Sequence, residues 1–261
     1  MPAAYAHQSM ALEVLNILDE DIKVIINRHL LNYLVGALGP DPLYYYNPLK
    51  GLPLYKKADL VHAMSMKEIF NLNKSPSEGY LAYILGLICH FTLDTKTHEY
   101  IYQIEKQGYS HVKMETELEK RIAKLNNLAF NKINFTKYIK PLSDDVKDIA
   151  LIFDLTPKKF NSCLKTMRLC TSYFMSFNPF KRGLTFMALK LSGQYKKNQD
   201  LVLQKKEDLH HKKCVDHLEA IYKDSIGHAK ILIENYCNYL SFNQVQLNSY
   251  FNRTFEGAYN E

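Results

Sequence analysis

Three residues of metal-ligating type recur at steps of four in ICHFTLDTKTHEYI, residues 88–101: His90, Asp94 and His98. A second pair at the same step, His111 and Glu115, follows in SHVKMETELE at 110–119. On an α-helix, residues four apart stand one above the other, so the first three form a ladder that drifts slowly around the helix. The next helix can then face its own His and Glu across a short gap. Imidazole nitrogens with one or two carboxylate oxygens are what a borderline cation such as Zn²⁺ takes from a protein. A lone H-x-x-x-D or H-x-x-x-E is common by chance and reads as a surface pair or a core histidine. Five such residues within 26 positions, on a stretch as apolar as Tyr83, Ile84, Leu85, Leu87, Ile88, Phe91 and Leu93 make it, are harder to place that way. Buried titratable groups are costly unless they are paired or bound to a metal.

The elements that must carry these residues read as helices. The ladder lies on one long helix, from a start signal SPSEG at 75–79 to about residue 106. Ahead of it, 8–18 and 20–35 show helical periodicity, the second with acids in its first turn, as the helix dipole favours. Residues 36–57, GALGPDPLYYYNPLKGLPLYKK, are rich in Gly, Pro and Tyr and read as a long irregular loop, a feature that in compact domains tends to be functional. Within it, Asp41 stands between Pro40 and Pro42, where an extended, stiffened backbone is expected to aim its carboxylate. A helix over 59–72 is expected to hold His62 on its first turn. Past residue 120 the periodicity stays helical over 144–154, 157–175, 179–191 and 213–240, with Thr156-Pro157 and Asn178-Pro179 as N-cap and first-turn pairs. No alternating apolar run is bounded by hairpin turns. The expected fold is therefore all-α: a single-domain multi-helix bundle over 1–261, with the motifs in 1–120 and a helical remainder over 121–261.

A chain with 47% hydrophobic and 23% charged residues is ordinary for a soluble globular protein, and its net charge of +6 favours anionic partners without choosing among phosphate groups, nucleic acid and membrane surfaces. The Lys- and Arg-rich run at 181–213 reads as a solvated surface, with a phosphate- or membrane-facing patch as the alternative. Five cysteines without a C-x-x-C argue against a disulfide framework and against cysteine zinc sites; buried thiols in a reducing compartment fit better. The opening MPAAYAHQSM has no basic n-region or apolar h-region, and no stretch of 18 apolar residues occurs, so no transmembrane segment and a cytoplasmic location are expected.

With Asp41 and His62 placed beside the ladder, the ordered set is His7, Asp41, His62, His90, Asp94, His98, His111 and Glu115. Here the sequence resembles the zinc-dependent phospholipase C family, the bacterial phosphatidylcholine-preferring enzymes and the toxins related to them, and more distantly the single-strand-specific zinc nucleases. The resemblance runs through AYAHQ, GALGPDPLYYY, LVHAMS, AYILGLICHFTLDTKTHEYI and SHVKMETELE, roughly residues 2–120. It implies a metal cleft between helices holding two or three Zn²⁺ ions. Asp41, His62, His90 and Asp94 would hold one, and His98, His111 and Glu115 a second. A third would take His7, an oxygen of Asp94 and the N-terminal amine at Met1 or, after removal of Met1, at Pro2. The family's mature N-terminus is a tryptophan exposed by removal of a signal peptide, and this sequence has neither. The implied activity is hydrolysis of phospholipid or another phosphodiester, with Asp41 as general base or water-orienting residue, Tyr44, Tyr45 and Tyr46 lining the cleft, and transient contact with a membrane surface. A zinc nuclease acting on nucleic acid and a non-catalytic metal-binding protein are the alternatives, and family behaviour would make secretion the alternative location. His29, His210, His211, His217 and His228 have no place in this scheme and read as surface or packing histidines.

Overall fold

The computed structural model describes residues 4–46, 54–72, 76–126, 133–204 and 206–258. In chain order the helices are α1 (Ala4–Ile17), α2 (Glu20–Arg28), α3 (Leu30–Gly36), α4 (Leu54–His62), α5 (Met66–Phe70), α6 (Glu78–Glu105), α7 (His111–Leu125), α8 (Val146–Ile152), α9 (Pro157–Phe174), α10 (Pro179–Leu191), α11 (Tyr195–Asn198) and α12 (Lys212–Ser241). Short 3-10 turns cover Asp41–Tyr45, Gln199–Leu201 and Ser249–Asn252. The fold is all-α: among the described residues there is no strand, only an isolated antiparallel bridge between Ser65 and Thr254.

The ladder sits on α6, which starts where the Ser77 hydroxyl accepts the Tyr80 N–H at 3.2 Å. From Gly79 to His98 every residue of this helix is buried except Leu81 and Lys96. A helix apolar on all sides has to be sheathed, and α1, α2, α3, α7, α8 and α12 all pack against it. The contact with α3 is the closest. A Cβ on Gly86 would lie 1.9 Å from the Tyr33 carbonyl oxygen, and one on Gly36 would lie 2.0 Å from the Tyr83 carbonyl oxygen, so the two helices meet backbone to backbone. The Tyr33 hydroxyl then donates to the Ala11 carbonyl at 2.7 Å and ties α1 to the same pair.

The path after α3 decides where Asp41 goes. Gly39 adopts φ +54° with its α-carbon against the His90 ring, where a Cβ would come within 2.4 Å of His90 Cδ2. Only glycine satisfies both the left-handed backbone and the close approach. Asp41 then opens a 3-10 turn instead of the expected extended segment; Pro40 caps it at φ −78°, ψ −8°, and Pro42 occupies a first-turn position that needs no N–H donor.

Other boundaries also differ from the sequence expectation. The helix expected over 20–35 breaks at His29 (φ −124°, ψ 37°), which lets α2 and α3 pack on α6 separately. The helix expected over 59–72 is two helices. His62 ends α4 instead of lying on a first turn, and Ser65 and Glu68 form a reciprocal capping box that starts α5. Of the loop expected over 36–57, residues 47–53 lie outside the described residues, and α4 already begins at Leu54. Helices expected over 157–175, 179–191 and 213–240 appear within a residue or so of those bounds. α12 lies along α6, α1 and α7, and α9 packs against the Asp41 turn, so the remainder past residue 120 walls the motif-bearing part. Among the described residues no helix is long and apolar enough to cross a membrane.

Adding a methyl group at the α3–α6 contact forces the two backbones apart. Gly86→Ala is expected to destabilise the protein by about 1–3 kcal/mol. An unchanged midpoint in thermal unfolding would contradict the backbone contact.

Candidate metal centre

Five elements converge on the middle of α6. α1 contributes His7, the first 3-10 turn Asp41, α4 His62, α6 His90, Asp94 and His98, and α7 His111 and Glu115. All eight are buried except His111, which is half-buried. Asp94 lies at the centre: its Oδ1 is 3.2 Å from His7 Nε2, while its Oδ2 is 3.0 Å from His90 Nε2 and 3.8 Å from His62 Nε2. Asp41 Oδ1 is 3.5 Å from His62 Nε2. One turn along α6, Glu115 Oε1 is 3.1 Å from His111 Nε2 and 3.8 Å from His98 Nε2. Three sets each offer donor atoms within 4.8 Å of one another: His7, Asp41 and His90; His62, His90 and Asp94; His98, His111 and Glu115. Donors around one tetrahedral zinc lie roughly 3.4 Å apart, so each set encloses a space of ionic size.

The ring orientations say which nitrogen is available. His62 Nδ1 faces the Ala58 carbonyl at 2.9 Å, His90 Nδ1 the Ala37 carbonyl at 3.2 Å and His98 Nδ1 the Phe255 carbonyl at 3.3 Å. A carbonyl oxygen only accepts, so Nδ1 carries the hydrogen in all three and the neutral ring turns its Nε2 lone pair inward. There the lone pairs meet carboxylate oxygens. His7 Nδ1, Asp41 Oδ1, His62 Nε2, His90 Nε2, Asp94 Oδ2, His98 Nε2 and Glu115 Oε2 are all buried without a hydrogen-bond partner among the described residues. His90 is the clearest case: burial depresses its pKa against the pull of Asp94, and its neutral Nε2 points at Asp94 Oδ2, acceptor to acceptor. A cation between the two turns this repulsion into attraction on both sides, so the donor set fits a divalent metal.

Several contributors were not evident from the sequence. Phe255, in the C-terminal segment, donates its N–H to the His62 carbonyl at 3.1 Å and accepts from His98 Nδ1. Its buried ring packs edge-on against His62 and Phe91, at 5.8 and 5.3 Å between centroids. The neighbouring Glu256 carboxylate lies 4.0 Å from His98 Nδ1 and accepts from the Tyr102 hydroxyl. Glu119 accepts the Tyr5 N–H at 2.8 Å and anchors the start of α1, the helix that carries His7. Glu119 extends the His111–Glu115 step of four by one more turn, the one sequence signal that could have singled it out. For Phe255 no local pattern exists, because its partners lie more than 150 positions away.

The aromatic run after Asp41 divides. Tyr44 stacks on His62 at 5.7 Å and donates to Asp59 Oδ1 at 2.7 Å, Tyr45 is buried in the core, and Tyr46 is partly buried. The five histidines left outside the scheme stay outside the cluster: His29 lies near Glu78, His210 and His211 against Tyr109, His217 against Tyr100 and His228 against Tyr250. The N-terminal amine at Met1 or Pro2 lies outside the described residues.

Without a cation, the cluster is held by charge. Burial opposes ionisation of Asp94 and Glu115, yet the surrounding imidazoles hold both well below the usual carboxylate range. Burial lowers His98, but Asp94 and Glu115 outweigh it and push its pKa up to about 10. The lowered carboxylates contribute stability that is present above their ordinary values and lost as pH falls. His98 contributes stability that is complete below its ordinary 6.5 and is lost as pH rises towards about 10. The metal-free chain is thus expected to be most stable between about pH 4.5 and 6.5, and zinc is expected to move that optimum upward because it needs neutral imidazoles. Thermal unfolding with chelator across pH checks this; a metal-free profile flat from neutral to pH 10 would refute it. Phe255→Ala should cost about 3–5 kcal/mol in urea unfolding of the metal-free chain, with Phe255→Leu recovering most of it.

A family model described as zinc dependent phospholipase C matches residues 6–174, more than half of the chain, and the matched span contains all eight donor residues. Comparison with curated proteins and with solved structures finds no match.

Proposed function

The chain belongs to the zinc-dependent phospholipase C family, and from that footing we propose that it is a metal-dependent phosphodiester hydrolase acting on phospholipid through a cluster of two or three zinc ions. The observation that carries this is the buried pair His90 Nε2 and Asp94 Oδ2, two acceptors 3.0 Å apart that a divalent cation between them would reconcile. Asp41, His62, His90 and Asp94 would hold one ion, and His98, His111 and Glu115 another. His7 with Asp94 would begin a third site. Bound zinc supplies charge for the phosphate oxygens and lowers the pKa of a bound water so that it is nucleophilic near neutral pH.

The rest is the work of the chain's own residues. The Ala58, Ala37 and Phe255 carbonyls hold the hydrogen on Nδ1 of His62, His90 and His98, so that Nε2 is the nitrogen each ring offers to a metal. Asp41 Oδ1, buried and without a hydrogen-bond partner among the described residues, accepts the proton of the attacking water. Tyr44, stacked on His62 and tied to Asp59, fixes the side of that ring away from the ladder. The phosphodiester approaches past His111 and Glu256, the more exposed groups around the cluster.

Elemental analysis of the chain purified without added metal should find two to three zinc ions, and hydrolysis of phosphatidylcholine should release diacylglycerol and phosphocholine in a chelator-sensitive way. Asp41→Asn is expected to lose at least about 10²-fold in rate while the set His98, His111 and Glu115 keeps its zinc. Zinc-loaded protein that cleaves neither phosphatidylcholine nor single-stranded DNA would remove the catalytic assignment, and release of nucleotides alone would reassign the substrate to nucleic acid.

A further inference from the structure

Beyond the matched span, α10 carries a feature that the metal centre does not use. Its Thr185 and Leu189 face the protein and are buried. Phe180, Leu184, Met187 and Leu191 fall at positions i, i+4, i+7 and i+11, which is one face of a helix. That face is turned outward: Phe180 is 73% exposed, Met187 53% and Leu191 82%. The helix is firmly begun, with the Asn178 side chain accepting the Phe180 and Lys181 N–H groups. An apolar stripe of this kind, left uncovered on a well-formed helix, marks a contact surface.

The charge around the stripe says what it contacts. From Leu155 to Gln199 the chain has nine Lys and Arg residues and not one Asp or Glu, whereas the whole chain carries only +6. The rest of the sequence therefore sums to −3, and the positive charge is gathered on α9, α10 and the turn after them. Among the described side chains of this run, no Lys or Arg closes an ion pair with a carboxylate. Lys181, Lys190 and Lys196 flank the stripe, and Arg168 lies beside the exposed Leu169 on α9, the helix against which α10 packs. Nucleic acid would be met by cations alone or with stacking aromatics. One phenylalanine and three large aliphatic side chains in register between cations match a headgroup layer that is apolar beneath and anionic on top.

We propose that α10, with the basic run around it, docks the protein on an anionic lipid surface, its Phe180–Leu191 stripe entering the headgroup boundary. α9 packs both on α10 and on the 3-10 turn that begins with Asp41, so this surface stands one helix away from the metal centre. The inference goes beyond the hydrolase assignment and does not need it, because binding is read on metal-free protein.

The test is sedimentation of the full, chelator-treated chain with vesicles of phosphatidylcholine alone and of phosphatidylcholine with phosphatidylserine, at low and high salt. Binding is expected to phosphatidylserine vesicles, weakened by salt, and at least about tenfold weaker to phosphatidylcholine alone. F180E/M187E/L191E, checked for retained helicity by circular dichroism, should lose at least about tenfold in vesicle binding. Should that variant fail to fold, K181Q/K190Q/K196Q keeps the stripe and should lose the preference for phosphatidylserine. No binding by the folded chain, binding untouched by either variant, a dimer that covers the stripe and dissociates in the glutamate variant, or tighter binding to single-stranded DNA than to the vesicles would each overturn the proposal.

Discussion

Carboxylates and imidazole nitrogens that would each be comfortable in water are here placed in a dry interior with their lone pairs turned on one another. Asp94 faces three imidazoles at once and Glu115 two. In low dielectric such an arrangement is tolerable in two ways: protons on some of the nitrogens, or cations in the gaps. The raised pKa values of His62, His98 and His111 describe the first, and the depressed pKa of His90 shows where the first runs out. Much of the surrounding architecture follows from that demand. α6 is wrapped by six other helices, and the close contacts at Gly86 and Gly39 bring backbone within reach of the ladder.

Holding the rings still is a separate task, and main-chain atoms do it. Three carbonyls, from α4, from the end of α3 and from the C-terminal segment, bind the outer nitrogens of His62, His90 and His98. A carbonyl fixes a tautomer without adding a titratable group that could compete for the cation. Phe255 does this twice over, through its N–H to His62 and its carbonyl to His98, while its ring fills the space between them and Phe91. The bridge between Ser65 and Thr254 holds that segment against the break between α4 and α5. The far end of the chain is thus part of the centre even though it contributes none of the eight donors.

The charge distribution divides the chain in the same place. The donors and their carboxylates lie before residue 120, and the excess of lysine and arginine lies on α9, α10 and the turn beyond. Buried carboxylates attract cations to the interior, and unpaired surface cations attract anions to the outside. α9 packs against both the Asp41 turn and α10, so the two fields lie one helix apart.

The all-α character, the long central helix and the donor ladder His90, Asp94 and His98 were legible in the sequence because they are local: a period of 3.6 and a step of four need no tertiary knowledge. The same holds for the Asn178 and Thr156 caps. Helix breaks were less legible, since the capping box at Ser65 and Glu68 was present as S-x-x-E yet lay within a continuous helical pattern. That His7, Asp41 and His62 reach the ladder depends on where α1, the Gly39 turn and α4 are packed. Their separation in sequence carries no distance, so only the tertiary structure decided it. Phe255, Glu256 and Glu119 join the centre for the same reason: a main-chain carbonyl looks alike at every position, and its partner is known only when the chain has closed on itself.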